Sequence, residues 1–195
     1  MTAIPTADSA PHPRSRLRAR LVLAVLSAGG LASLAWASYV SPLPRMVYNP
    51  SDSVAVGWYR VDPLARHAGA LSPAVHVGNV VLVSLPADAA ALAARRGYLP
   101  TGIPLLKPVA ALAPQQVCMT DGIVRIDGVP VAAVLHVDGM GRPLRAWPSC
   151  RRLHLGELFL LSVTNRASFD SRYFGPVNAS AVLGVAHPVR LETRR

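Results

Sequence analysis

The chain has 195 residues, of which 51% are apolar and only 15% charged, a balance that excludes a disordered polyelectrolyte. Eighteen prolines and fourteen glycines argue against a helical bundle or a coiled coil. Lys and Arg total 20 against 10 Asp and Glu, for a net charge of +10, and Lys107 is the only lysine among them.

Residues 1–20 carry Arg14, Arg16, Arg18 and Arg20 against Asp8 alone, together with Pro5, Pro11 and Pro13. They read as a flexible basic tail. Residues 21–40 then run without a charge. As a helix rising ~1.5 Å per residue they span ~30 Å, the thickness of a bilayer's hydrocarbon core. Trp36 and Tyr39 suit the far interface, and the preceding arginines place the N-terminus in the cytoplasm. The stretch therefore reads as a retained membrane anchor, with residues 41–195 exported. Two other readings stay open: a core helix, and a cleaved signal with Ala35-Trp36-Ala37 at its cleavage site. Signal h-regions run about 7–15 residues, shorter than this one.

The exported part is expected to be mainly β. Residues 41–50 (SPLPRMVYNP) form a Pro-punctuated connector. Residues 54–61 alternate loosely, and 76–85 are β-branched and short, as in strands. Residues 87–96 (ADAAALAARR) predict a helix, with Asp88 near its start and two arginines at its end before Gly97. Residues 103–112 are apolar around Lys107, and Pro108 predicts an edge or irregular strand. Residues 123–127 and 129–137 flank Gly128 as a hairpin, residues 138–141 form a turn, and 155–163 and 182–189 are further strands. The fold class is thus a mainly β domain with one short helix, on a single N-terminal transmembrane helix. Cys118 and Cys150 both fall in the exported part, where an even pair reads as a structural disulfide. Neither has metal-ligand spacing, so no metal is expected.

Three segments could carry chemistry. Lys107 has no acid within ten residues on either side. A free lysine, with a pKa near 10.4, is less than ~0.1% neutral at pH 7, but burial in apolar surroundings can move it far enough to act as a base. The plainer alternative is a surface lysine whose amine reaches water over an apolar stem. Ser51 and Ser53 stand in Asn49-Pro50-Ser51-Asp52-Ser53, a turn-like stretch able to present a hydroxyl. Residues 168–176 gather Ser168, Asp170, Ser171, Arg172 and three aromatic rings; an ion pair holding a buried turn fits them as well as a catalytic role does.

The order and spacing of these segments resemble the Ser-Lys signal peptidases, most closely the conjugative-transfer (TraF-type) branch of the type I family. The general motif Pro-Ser-Gly-Ser stands here as Pro50-Ser51-Asp52-Ser53, and the branch pattern is matched by Asn49, Ser51, Ser53, Gly57 and Tyr59. The branch's lysine motif appears as Pro104-Leu105-Leu106-Lys107-Pro108-Val109, and its terminal motif as Ser168 to Pro176. There are three departures: Ala55 replaces a proline after the nucleophile, Asp52 replaces the glycine, and Gln115-Gln116 stands where an acid often precedes Val-Cys. Ala55 puts the stiffness of the turn in question, and Asp52 could raise the lysine's pKa.

The resemblance implies Ser53 as nucleophile and Lys107 as general base, without a cofactor. It gives supporting roles to the Ser51 hydroxyl at the oxyanion, to Ser168 beside the lysine, and to Asp170 and Arg172. It implies membrane-held, pilin-like precursors as substrates, with the lipid bilayer as the other partner. Ser53 follows Val40 by 13 residues, so even an extended tether keeps it within ~45 Å of the membrane surface. The rival from another class is a catalytically silent envelope or secretion-apparatus protein. Nucleic-acid binding is not expected, because the 16 basic residues beyond position 40 are dispersed among 9 acids without aromatic interleaving.

Overall fold

The structure, a computed structural model, describes residues 13–39, 46–64 and 71–192. The chain divides into two units, Met1–Pro42 and Leu43–Arg195.

The first unit contains one helix, α1 (Pro13–Tyr39). It starts inside the segment read as a flexible tail. Proline is tolerated as a first helical residue because its missing N–H needs no partner there, and arginine is a good helix former. Leu17–Trp36 is long and apolar enough to cross a membrane, and its large apolar side chains are exposed. The Ser33 hydroxyl donates to the Gly29 carbonyl (2.8 Å), which satisfies its donor within the helix. Val40 and most of the predicted connector lie outside the described residues.

The second unit is mainly β, as the sequence predicts, and its strands pair antiparallel. In chain order they are β1 (Met46–Asn49), β2 (Gly57–Pro63), β3 (Val80–Val83), helix α2 (Ala87–Arg96), β4 (Leu105–Leu112), β5 (Gln116–Thr120), β6 (Ile123–Ile126), β7 (Val129–Ala133), β8 (Cys150–Arg152), β9 (Glu157–Leu160), helix α3 (Ser171–Phe174), β10 (Val177–Asn178) and β11 (Val182–Leu191). A seven-stranded sheet has the order β1-β2-β11-β3-β4-β9-β10, and a four-stranded sheet the order β7-β6-β5-β8. Strand β9 shows how the core is laid out. Leu158 and Leu160 pack with Val81, Val83 and Val109, while Phe159 and Leu161 pack with Val117 and Val124. Successive side chains of a strand face opposite ways, so β9 is buried on both faces.

Helix α2 has the predicted bounds, closed by Gly97 in the left-handed region (φ +71°). The β6–β7 hairpin turns through Asp127 (φ +49°) and Gly128 (φ +83°), two positive-φ residues as a tight hairpin requires. Three expectations need correction. The end of the connector, residues 46–49, is a strand paired with β2. Helix α3 joins α2, so the domain has more than one short helix. Strand β4 is central rather than at an edge, and of the two alternatives that Pro108 predicts it is the irregular strand that is found. Its first half pairs with β3 and its second half with β9, with a register shift between Val109 and Ala111. Pro108 stands at this change of partner. Its carbonyl accepts from Leu161 N–H (3.1 Å), and Val109 supplies the next N–H, to Asn79 (2.8 Å).

Cys118 and Cys150 form a disulfide between directly opposed positions of β5 and β8. Gly57 marks the closest approach in the large sheet. Its φ is +144°, and a Cβ there would lie 2.2 Å from the Arg190 carbonyl oxygen of β11.

Candidate active site

Lys107 lies in the middle of β4, opposite Val81 of β3. Its surroundings are core, and only 5% of it is exposed. The surface-lysine alternative is therefore not what the fold provides. The amine sits 2.5 Å from Ser53 Oγ and 2.6 Å from Ser168 Oγ, and the two hydroxyls are 3.2 Å apart. Burial pushes the Lys107 pKa down to about 8, against the opposing pull of the Asp170 carboxylate and with the help of the Arg172 guanidinium. At pH 7 about a tenth of such amines are neutral, a large gain over an exposed lysine.

Ser53 reaches Lys107 from the turn between β1 and β2. Asn49, the buried last residue of β1, organises that turn from inside. Its Nδ2 donates toward the carbonyls of Ser51 (2.7 Å), Val54 (3.2 Å) and Ala55 (3.1 Å). Its Oδ1 accepts from the Ser51 N–H (3.3 Å) and the Ser51 hydroxyl (3.0 Å). Tyr59 of β2 donates its hydroxyl to the same Ala55 carbonyl (2.7 Å). Side chains thus hold the turn where Ala55 stands in place of the family's proline. The Asp52 carbonyl accepts from Thr164 Oγ1 (3.4 Å), and the carboxylate acting on the lysine is Asp170.

Ser168 arrives on the loop after β9, which is fixed by a buried ion pair. Arg172 and Asp170 are 1% and 0% exposed. The guanidinium donates to both carboxylate oxygens, at 2.8 Å each. Its remaining N–H groups go to the carbonyls of Ala133 and Arg166 (both 3.1 Å), Asn165 (3.2 Å) and Ser168 (3.1 Å). Asp170 also caps α3 by accepting from the Arg172 N–H (3.2 Å) and takes the Ser162 N–H (3.1 Å). The structure therefore brings Ser53, Lys107 and Ser168 into mutual contact, with Asp170 and Arg172 supporting the Ser168 loop. The Ser51 hydroxyl stands apart, turned to Asn49.

The Ser53–Lys107 pair opens on a cavity of about 600 Å³, whose apolar lining includes Leu85, Ile103, Leu144 and Phe169. Asp138 is on its wall too, a residue that sequence reasoning treats only as part of a turn. Burial works against its charge, yet hydrogen bonds from the Tyr98 hydroxyl, Arg142 and the Met140 N–H hold its carboxyl well below the usual carboxylate range. Arg96 adds a second ion pair (3.4 Å). Asp138 staples the 138–142 loop to the end of α2 and is not free to serve as a base. Among the described residues no three His, Cys, Asp or Glu side chains are grouped to hold a metal ion.

A buried amine within hydrogen-bond distance of a serine hydroxyl, beside a cavity, can draw the proton from that hydroxyl. Residues 18–190 match the family described as signal peptidase, peptidase S26, and the chain belongs to that family. Its relatives include the conjugal transfer protein TraF of Agrobacterium fabrum (strain C58), 37% identical over 179 residues, which cover 87% of this chain and 96% of the relative. The conjugal transfer protein TraF of Agrobacterium tumefaciens (strain 15955) is 35% identical over 87% of this chain and 95% of its own. A plasmid transfer protein TraF of Escherichia coli is 32% identical over 90% and 98%. Among solved structures, a signal peptidase I from Enterococcus faecalis V583 is similar over 60% of this chain and 98% of its own, with 21% identity and a TM-score of 0.36.

Proposed function

We propose that the chain is a membrane-anchored serine endopeptidase that removes leader segments from exported, pilin-like precursors in conjugative transfer. The observation that carries this reading is the buried Lys107 amine, 2.5 Å from Ser53 Oγ at the cavity. Neutral Lys107 takes the proton of Ser53 Oγ as the oxygen attacks the scissile carbonyl. The oxyanion is held by the Ser53 backbone N–H and by the Ser51 hydroxyl, which turns from Asn49 to meet it. Lys107 passes its proton to the leaving amine, and water releases the acyl group from Ser53. Ser168 fixes the amine's position throughout. Helix α1 serves as the anchor, with a cytoplasmic N-terminus and a periplasmic catalytic domain, so substrates are met at the membrane surface.

The test is cleavage of a pilin-like precursor in membranes by the full-length chain and its Ser53→Ala, Lys107→Ala and Lys107→Arg variants. Each variant is expected to lose at least about 10⁴-fold in rate, as when a member of a catalytic unit is removed. Arginine keeps the positive charge but cannot give up its proton. Normal cleavage by Lys107→Arg would reduce the lysine to a charge and overturn the dyad. A wild-type chain that cleaves no precursor would favour the silent envelope protein.

A further inference from the structure

The side-chain amide of Asn49 makes its hydrogen bonds within the turn that presents Ser53, not to Lys107 or Ser168. These hydrogen bonds fall on residues 51, 54 and 55, which flank the nucleophile on both sides. The amide orientation is unambiguous, because three carbonyls surround Nδ2 while an N–H and a hydroxyl face Oδ1. Tyr59 closes the same turn from β2 at the Ala55 carbonyl. Both residues are buried, with Tyr59 in the core beside Val61 and Leu106. The adjoining ends of β1 and β2 are paired in register, Asn49 with Gly57 and Tyr48 with Trp58. The turn therefore hangs from a rigid hairpin by side-chain hydrogen bonds, and no proline stiffens it at position 55.

We propose that Asn49 and Tyr59 form a clamp that holds residues 51–55 in the conformation placing Ser53 Oγ on Lys107, which makes Asn49 a positioning residue for the nucleophile. The inference rests on the peptidase reading above. A clamp of this kind acts on the geometry of attack and leaves the amine's own surroundings, Asp170 and Arg172, in place. Loss of alignment by about an ångström costs on the order of 10²-fold in rate.

The experiment compares wild type, Asn49→Ala and Tyr59→Phe as full-length proteins in detergent. It measures kcat and KM for precursor cleavage, their pH dependence, and amide hydrogen exchange across residues 51–55. Asn49→Ala is expected to lower kcat about 100-fold, with KM and the pH at which the rate levels off unchanged, and to speed exchange at 51–55. Tyr59→Phe keeps the ring in the core, so it reads the clamp even where Asn49→Ala folds poorly; a kcat about fivefold lower is expected, the worth of one hydrogen bond. Exchange at 51–55 unchanged in both variants would remove the clamp. Faster exchange with an unchanged kcat, or a loss confined to KM, would remove its positioning role. If the wild type itself cleaves nothing, the peptidase reading has failed and the positioning role falls with it, while the exchange data still decide whether the clamp exists.

Discussion

Asp170→Asn is expected to destabilise the full-length protein by about 3–5 kcal/mol, the usual effect of leaving one member of a buried ion pair without its partner. The variant keeps the shape and loses the charge, so Arg172, 1% exposed, remains as an uncompensated cation in the core. The effect should spread beyond the pair. The same guanidinium holds the carbonyls of Asn165, Arg166 and Ser168 and reaches Ala133 of β7, so it ties the Ser168 loop to the four-stranded sheet. Arg172→Met should cost a similar amount, because it strands four carbonyls as well as the carboxylate, and the double replacement should cost less than the two singles together. Urea unfolding of the four proteins in detergent measures this. A second consequence appears at Lys107. The Asp170 carboxylate raises the pKa of the amine and Arg172 lowers it, so the Asp170→Asn enzyme that does fold should gain activity at lower pH than wild type.

Lys107→Met is expected to abolish activity and to stabilise the protein. The folded lysine titrates at about 8, whereas its ordinary value is 10.5. Below pH 8 the amine is charged in both folded and unfolded chains, and the folded chain carries the whole cost of burying that charge, roughly 3 kcal/mol. The cost shrinks as pH rises through 8, where the folded amine loses its proton first, and it is gone above about 10.5. Methionine has a similar length and no charge, and Ser53 and Ser168 are close enough (3.2 Å) to bond to each other once the amine is gone. The variant should therefore be more stable than wild type by up to roughly 3 kcal/mol near pH 6, with the gain down to about a quarter of that near pH 10. Denaturation curves at the two pH values check this. A methionine variant that is less stable than wild type at both would mean that the buried amine costs nothing.

Local signals carried much of the fold. The alanine run of α2, ended by Gly97, and the Asp127-Gly128 turn are determined by their own residues, and the structure has them where the sequence puts them. The errors came where tertiary pairing outweighs a local rule. Pro108 suggests an edge or an irregular strand; β4 is irregular but central, because it changes neighbours at that residue, and no local property of the sequence announces a change of neighbour. Strands β1 and β8 are four and three residues long, too short for alternation to register. Helix α3 is a single turn capped by Asp170; the aspartate stood out as an ion-pair partner, and its second use as a cap passed unseen.

The site was legible in part. Ser53, 54 residues before Lys107, and Ser168, 61 residues after it, both lie within hydrogen-bond distance of its amine. The burial of Lys107 could not be read from IPLLKPVAALA, since a lysine in an apolar run reaches water equally well from an exposed strand. Asn49 and Tyr59 were visible as motif positions, but their work on the Ala55 carbonyl depends on the β1–β2 pairing. Asp138 was legible only as part of a turn, with Met140 and Arg142 nearby, because its other partners Arg96 and Tyr98 lie some forty residues earlier.

The pH dependence of kcat/KM for precursor cleavage by the full-length protein tests the central claim most directly, since such a profile reports the ionisation of the proposed base in the free protein. With Lys107 at about 8, the rate should rise close to tenfold per pH unit from about pH 6 and level off near pH 8, and Lys107→Arg should show no such limb at any pH. A profile already flat by about pH 7, or a rising limb that survives in Lys107→Arg, would place the base elsewhere and contradict the Ser53–Lys107 dyad.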